Sequence, residues 1–172
     1  MTTPGLPSTL DQFDRDLGER LRGHVGARRR LAEIFGLAAD VMSPAYRVLV
    51  LTLILWRPTR NRGLRALAGA VLAALIARRV RDGIRRPRPG TRPEGGLPSR
   101  HAAASVAIAA VLSERRSGLG LPLALITAIG LLGRVTTGDH DPADVIVGAV
   151  LGGMVARVIM RMTPGRRPGA DD

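Results

Sequence analysis

The sequence has 172 residues, a formal net charge of +12 and no cysteine, so disulfides, thiolate metal sites and a cysteine nucleophile are excluded. All 26 basic residues are arginine, and the strongly positive net charge points to either nucleic acid or an anionic membrane surface as the partner. Two phenylalanines, one tyrosine and one tryptophan offer little for bases to stack on, so the composition favours the membrane over nucleic acid.

The N-terminal region predicts one amphipathic helix. Residues 1–9 are rich in Pro, Thr and Ser and lack an apolar core, so we expect no secretory signal peptide there. Between Leu10 and Val25, apolar residues recur every three to four positions and charged residues occupy the opposite face. This helix either lies on the membrane surface or packs against its own protein, and the sequence favours neither arrangement.

Five apolar blocks follow, and arginine-containing segments separate most of them. The blocks cover residues 37–56, 64–84, 101–112, 119–137 and 142–162. Their strictly apolar cores are shorter than the roughly 20 residues of a spanning helix, so the polar block ends must also be helical. Small residues suited to close helix approach in membranes recur in the second and fifth blocks.

These blocks predict an all-α integral membrane bundle of about five transmembrane helices plus the N-terminal amphipathic helix. A soluble five-helix bundle is the alternative. We expect three parts: a leader and amphipathic helix over 1–35, a membrane-embedded domain over 36–162, and a polar tail over 163–172.

Alternation of the helix directions places the loops at 85–100 and 134–144 on one membrane face. The turns at 57–63 and 113–118 then lie on the other face. Arginines outside the candidate site are divided almost equally between the two faces, so the positive-inside rule does not decide the orientation.

Two clusters of polar residues lie before and within the first of these loops. Arg79 and Arg86 are seven residues apart, so both would project from one side of a helix that ends at Pro87. Ser99 can cap the next helix, whose free N–H groups form an anion site beside His101. Taken alone, each cluster is better explained by structure, the arginines as interfacial anchors and the Ser99 segment as an ordinary helix cap.

A third cluster lies around the second loop. His140 follows Arg134 by six positions, and Asp144 follows His140 by four. Residues four apart face each other on a helix, so Asp144 can accept a hydrogen bond from one imidazole nitrogen and leave the other free. The three clusters share one membrane face, where arginine forks suit phosphate oxygens and the histidines suit phosphoryl transfer without a metal.

The sequence resembles the type 2 phosphatidic acid phosphatase family, membrane lipid phosphatases that share a pocket with vanadium haloperoxidases. The family has three motifs: Lys, six residues, Arg-Pro; Pro-Ser-Gly-His; and Ser-Arg, five residues, His, three residues, Asp. The chain carries the matching segments in order, namely Arg79-(six)-Arg86-Pro87, Pro98-Ser99-Arg100-His101 and Gly133-Arg134-(five)-His140-(three)-Asp144. Arg79, Arg100 and Gly133 depart from the family's Lys, Gly and Ser.

The resemblance implies a mechanism without metal or cofactor. His140 is expected to attack phosphorus and form a phosphohistidine, Asp144 to orient it, and His101 to protonate the leaving group. The implied phosphate ligands are the arginines and the capping segment, namely Arg79, Arg86, Ser99, Arg100 and Arg134. Because the two histidines need opposite protonation states, a bell-shaped pH profile is expected.

The expected substrate is a phosphate or diphosphate on a lipid tail, with polyprenyl lipids preferred. Phosphatidic acid or phosphatidylglycerophosphate is the alternative substrate, and a non-catalytic protein that binds anionic lipid is an alternative function. The exclusive use of arginine hints at a GC-rich, bacterial genome. The family's usual arrangement puts the site on the extracytoplasmic face of the cell membrane. Oligomeric state is not predictable from this sequence.

Overall fold

A computed structural model describes residues 8–84, 86, 88–89, 95–113 and 118–163, and these residues confirm the all-helical prediction. The described helices are α1 (Ser8–Gly26), α2 (Arg29–Leu55), α3 (Arg60–Ile84), α4 (Arg100–Leu112), α5 (Gly120–Thr136) and α6 (Pro142–Met162), with a 3-10 turn at Arg57–Thr59. The tail beyond residue 163 and the first seven residues lie outside the described part.

Helices α2 to α6 coincide with the five apolar blocks. The largest difference between a predicted block and an observed helix is at α2, which begins at Arg29. This helix continues unbroken past residues 35 and 36, between which the sequence predicts a domain boundary. In the described chain, α2 and α6 are long and apolar enough to cross a membrane, whereas α4 and α5 are shorter apolar helices. The 13 residues of α4 span only about 20 Å.

The outside of the bundle is apolar, and α3 contributes only small side chains to its interior. Large aliphatic residues on α2 and α6 are more than half exposed, among them Leu51, Leu55, Ile146 and Val150. The buried face of α3 consists of Gly63, Ala66, Gly69, Ala73 and Ala77. An apolar exterior and close helix contacts through small residues are the arrangement that a lipid environment favours.

The most extensive contact between two helices joins α4 to α6. A Cβ atom at Gly148 would collide with the carbonyl oxygen of Ser99, and one at Gly152 with that of Ala103. Glycine at both positions therefore lets the two backbones touch, which fixes the start of α4 against the start of α6.

The two loop groups lie at opposite ends of the bundle, as the alternation of helix directions predicts. At one end, the Ser99 amide donates a hydrogen bond of 2.9 Å to the Asp144 carbonyl and joins the α4 and α6 N-termini. At the other end, the Arg62 guanidinium donates to the carbonyl of Leu112.

Helix α1 packs on α2, α5 and α6, and only the C-terminal part of its apolar stripe faces the protein. Asp14 and Gly18 are buried, whereas Leu10 and Phe13 are 55% and 67% exposed. Further along the helix, Val25 is buried and Leu21 packs against the core. The first half of α1 therefore contacts the protein through polar and small residues, and the second half through apolar ones.

Candidate active site

The N-terminus of α6 holds a buried histidine–carboxylate pair. Pro142 occupies the first turn, where its missing N–H and fixed φ suit a helix start. The Asp144 carboxylate Oδ2 accepts the Asp141 backbone N–H at 3.2 Å and lies 3.3 Å from His140 Nδ1. His140 is 1% exposed and Asp144 is fully buried, so the carboxylate fixes the ring and leaves Nε2 as the free nitrogen.

The N-terminus of α4 lies beside this pair. The Ser99 hydroxyl caps α4 by accepting the Ala102 N–H at 3.4 Å, and the Ser99 side chain is fully buried. His101 follows in the first turn and is partly exposed. Both α4 and α6 thus direct their positive dipole ends toward the same region.

Four cationic or titratable groups lie close enough to His101 for their charges to act on it. They are Arg134, His140, Arg100 and Arg88. These groups therefore lie in the same region of the molecule as His101.

Arg134 is held at the end of α5. Its Nη1 binds the Asp139 carboxylate at 2.7 Å, and its Nη2 donates to the Ala39 carbonyl at 2.8 Å. Its Nε is buried without a hydrogen-bond partner in the described chain. A buried donor of this kind is satisfied when an anion binds.

Arg86 does not join the arginines around His101, because carboxylates occupy its whole guanidinium. Its Nη1 binds Asp144 at 2.9 Å, its Nη2 binds Asp14 at 2.6 Å, and its Nε binds Asp11 at 2.8 Å. Burial alone would lower the pKa of Arg86, but these carboxylates outweigh burial and raise it. All three nitrogens of Arg86, which is expected as a phosphate ligand, thus contact carboxylates, and one of these is Asp144.

A neighbouring carboxyl belongs to the same cluster. Asp141 lies 3.7 Å from both Arg86 Nη2 and Arg22 Nη1. Burial raises the pKa of Asp141, and the charge of Asp144 raises it further.

Arg79 is also absent from the site. It is exposed on α3, and its side chain makes no hydrogen bond or ion pair with any described residue. The structure instead brings Arg81 and Arg88 together, since the Arg81 Nη1 and the Arg88 Nε both lie 3.6 Å from the position of a Cβ atom on Gly95. Arg88 also donates from Nε to the Gly95 carbonyl at 2.8 Å.

Two sequence signals could have identified this second pair. The spacing of the first motif occurs again two residues later, as Arg81-(six)-Arg88-Pro89. The buried face of α3 advances from Ala73 to Ala77, and the next step of four residues reaches Arg81 rather than Arg79.

An apolar groove opens beside His101. It lies between α2, α3 and α4, has a volume of about 500 Å³, and begins at Arg100 and His101. Its walls continue along Ile108, Leu67 and Leu51 toward the other end of the bundle. A long apolar chain attached to a group at His101 would fit along these walls.

Comparison with known proteins gives a family match and similar structures. The model of the PAP2 superfamily matches residues 80–168, just over half of the chain. A transmembrane PAP2-type phosphatidylglycerolphosphate phosphatase from Bacillus subtilis superposes with a TM-score of 0.73 at 17% identity, covering 94% of this chain and 91% of the other. LpxE from Aquifex aeolicus superposes with a TM-score of 0.70 at 23% identity, covering 83% of this chain and 93% of LpxE.

A similar curated sequence is a decaprenylphosphoryl-5-phosphoribose phosphatase of Mycobacterium tuberculosis. It is 36% identical over an alignment of 117 residues that covers 63% of this chain. The match spans 65% of the relative, slightly less than two thirds of its length.

Proposed function

The chain belongs to the PAP2 superfamily, and on this premise we propose that it is a membrane lipid phosphatase acting through a phosphohistidine. The observation that carries the proposal is the buried His140–Asp144 pair beside His101, surrounded by arginines. Positioning, charge neutralisation and a pair of histidines are the groups that phosphoryl transfer requires.

In the proposed reaction, His140 Nε2 attacks phosphorus while the bond between phosphorus and the leaving oxygen breaks. His101 donates its proton to that oxygen. His101 then takes a proton from water, whose oxygen attacks the phosphohistidine and releases inorganic phosphate. Asp144, 3.3 Å from Nδ1, stabilises the positive charge that develops on His140.

The proposed phosphate ligands are Arg81, Arg88, Arg100 and Arg134. Three of them act electrostatically on His101, and Arg81 lies with Arg88 against Gly95. Ser99 supports this group by capping α4. Guanidinium groups bind phosphoryl oxygens through paired N–H donors, which stabilises the charge that develops in the transition state.

The substrate we propose is a polyprenyl lipid with a terminal phosphate. The groove that begins at His101 has apolar walls suited to a lipid tail. The Mycobacterium tuberculosis relative is named for a decaprenyl-linked phosphoribose, which belongs to the same chemical class.

Phosphate release from purified protein in detergent tests this function. A panel of polyprenyl phosphates, polyprenyl-linked sugar phosphates and phosphatidic acid should yield inorganic phosphate with at least one lipid, and release should continue in EDTA. His140→Ala should reduce release below detection, whereas His24→Ala, on an exposed part of α1, should retain activity. An active His140→Ala variant would contradict the nucleophile assignment, and a protein inert on every lipid would contradict the function.

We place the site on the extracytoplasmic face of a bacterial cell membrane. Because the chain has no cysteine, a single introduced cysteine is a unique label. Thr137→Cys lies on the site face and Asn61→Cys on the opposite face, and both positions are exposed. In intact cells an impermeant maleimide should label the first and not the second, and the reverse pattern would place the site inside.

A further inference from the structure

Helix α1 reaches the catalytic pair through a continuous chain of buried polar contacts. Asp14 Oδ2 binds Arg86 Nη2 at 2.6 Å, Arg86 Nη1 binds Asp144 Oδ1 at 2.9 Å, and Asp144 Oδ2 lies 3.3 Å from His140. The second oxygen of Asp14 accepts the Ala143 N–H at 2.8 Å, in the first turn of α6. Every side chain in this chain of contacts is at most 10% exposed.

The contacts have an electrostatic consequence for His140. A guanidinium bound to Asp144 alone would neutralise the carboxylate that polarises the imidazole. Asp14 and Asp11 bind the other two nitrogens of Arg86, so its positive charge is shared among three carboxylates. The negative charge of Asp144 thereby remains available to His140.

We propose that Asp14 is a positioning residue for the phosphatase reaction, acting through Arg86 on Asp144 and His140. This inference rests on the proposed function and extends the active site to α1. It also accounts for the orientation of the first half of α1, where Asp14 is turned inward while Phe13 and Leu10 are exposed.

Other charged groups surround His140, and a test of Asp14 must leave them unchanged. They are Asp141 and Asp144 on α6, Arg134 and Asp139 at the end of α5, His101 on α4, Arg86 in the loop, and Arg22 on α1. Asp14→Asn changes none of these side chains and removes one negative charge.

The test compares Asp14→Asn with Asp16→Asn, which removes the same charge from an exposed position on the same helix. Asp14→Asn should lower kcat by about 10-fold, in the range for loss of a supporting hydrogen bond. Protonation of His140 becomes less favourable, so the acidic limb of the kcat/KM profile should move to lower pH. Asp16→Asn should match the wild type, and Asp14→Glu should restore most of kcat.

A second measurement needs no turnover. The chain has three histidines, so ring-labelled protein in detergent gives an assignable NMR titration. The His140 midpoint should fall in Asp14→Asn and not in Asp16→Asn, even if no lipid is hydrolysed. An unshifted midpoint, with or without a loss of activity, would overturn the proposal, because Asp14 would then only anchor α1.

A different observation concerns Arg47, a charged residue within the apolar helix α2. It lines the groove together with Arg100 and His101. It is exposed and makes no hydrogen bond or ion pair with the rest of the described chain. A charged side chain at membrane depth without a protein partner indicates a functional group.

The depth of Arg47 follows from α2. The Ala39 carbonyl receives the Arg134 guanidinium and so marks the level of the site. Arg47 lies eight residues further along, about 12 Å deeper. Helical side chains lean toward the N-terminus, which for α2 is the site end, so the Arg47 guanidinium reaches back along the groove.

We infer that Arg47 binds a second anionic group of the substrate, a phosphodiester between the lipid tail and a sugar that carries the scissile phosphate. This inference also rests on the proposed function. The two phosphorus atoms of a diphosphate share one oxygen, so both would lie near His101. A sugar-sized spacer is needed to bring a second phosphate within reach of the Arg47 guanidinium, which lies deeper in the groove than His101.

Arg47→Gln should raise KM about 10-fold for a polyprenyl-phosphoryl sugar phosphate, because one hydrogen bond between charged groups is lost, and should leave KM for a polyprenyl monophosphate unchanged. Arg157→Gln, an exposed arginine on α6, is the matched control. Equal changes for both lipids, or none, would refute the assignment. Binding of the dephosphorylated phosphodiester to the wild type and to Arg47→Gln tests the same contact without turnover. A failure of the Arg47 assignment can therefore be told apart from a failure of the phosphatase proposal.

Discussion

On α3, residues two positions apart point in nearly opposite directions, because each residue advances the helix by about 100°. Arg81 continues the buried stripe of small residues, and its side chain is 16% exposed. Arg79 lies on the outer surface. The position of a guanidinium on the helix, rather than its presence in the segment, therefore determines whether it reaches the site.

Arg81→Ala is expected to lower kcat/KM about 100-fold, because loss of one donor to a developing oxyanion has an effect of this size. Arg79→Ala, its matched control two residues away, should remain within about twofold of the wild type, as surface substitutions usually do. Phosphate-release kinetics on the best lipid make the comparison. If Arg79→Ala lowered kcat/KM more than Arg81→Ala did, Arg79 rather than Arg81 would be the phosphate ligand of the first motif.

Gly133 shows why this chain lacks the serine that the resembled family carries before Arg134. A Cβ atom at this position would collide with the Phe35 carbonyl oxygen and would lie 3.1 Å from the Ala39 Cβ. Helix α2 thus occupies the space that a serine side chain would need.

Gly133→Ser should therefore destabilise the protein by about 1–3 kcal/mol through overpacking, and should not raise activity. Gly36→Ser is the control, because nothing lies within 4 Å of a Cβ atom there. Thermal unfolding in detergent measures both variants. A Gly133→Ser protein that is as stable as the control would show that α2 shifts without cost.

At the scale of whole helices, the contact between α4 and α6 holds the proposed catalytic histidines together. Gly148 touches the Ser99 carbonyl, and the Ser99 amide binds the Asp144 carbonyl at 2.9 Å. The distance between the His101 and His140 backbones consequently depends on this glycine contact.

Gly148→Ala should separate the two helix starts, lowering both the melting temperature and the phosphate-release rate. Gly153→Ala is the control on the same helix, since its Cβ atom would meet nothing within 4 Å. That control should be neutral or stabilising by up to about 1 kcal/mol, because alanine is the better helix former. If both variants behave alike, the close approach of α4 and α6 does not position the site.

For the whole molecule, many large aliphatic side chains such as Leu55 and Val150 are exposed, whereas alanines such as Ala73 and Ala103 are fully buried. Such a surface is stable only against lipid or detergent. We expect the protein to stay in the membrane pellet after an alkaline carbonate wash and to be released by detergent. Release by carbonate alone would contradict an integral membrane bundle.

The sequence by itself determined the apolar helices, their alternating directions, and the spacing that pairs His140 with Asp144. These properties depend on local periodicity, which adjacent residues encode. Only the tertiary structure placed Arg81 rather than Arg79 beside Arg88, turned Asp14 of α1 inward, and paired Arg86 with Asp11, Asp14 and Asp144. Asp14 and Arg86 are separated by 72 positions, so their contact depends on how the helices pack rather than on any local pattern.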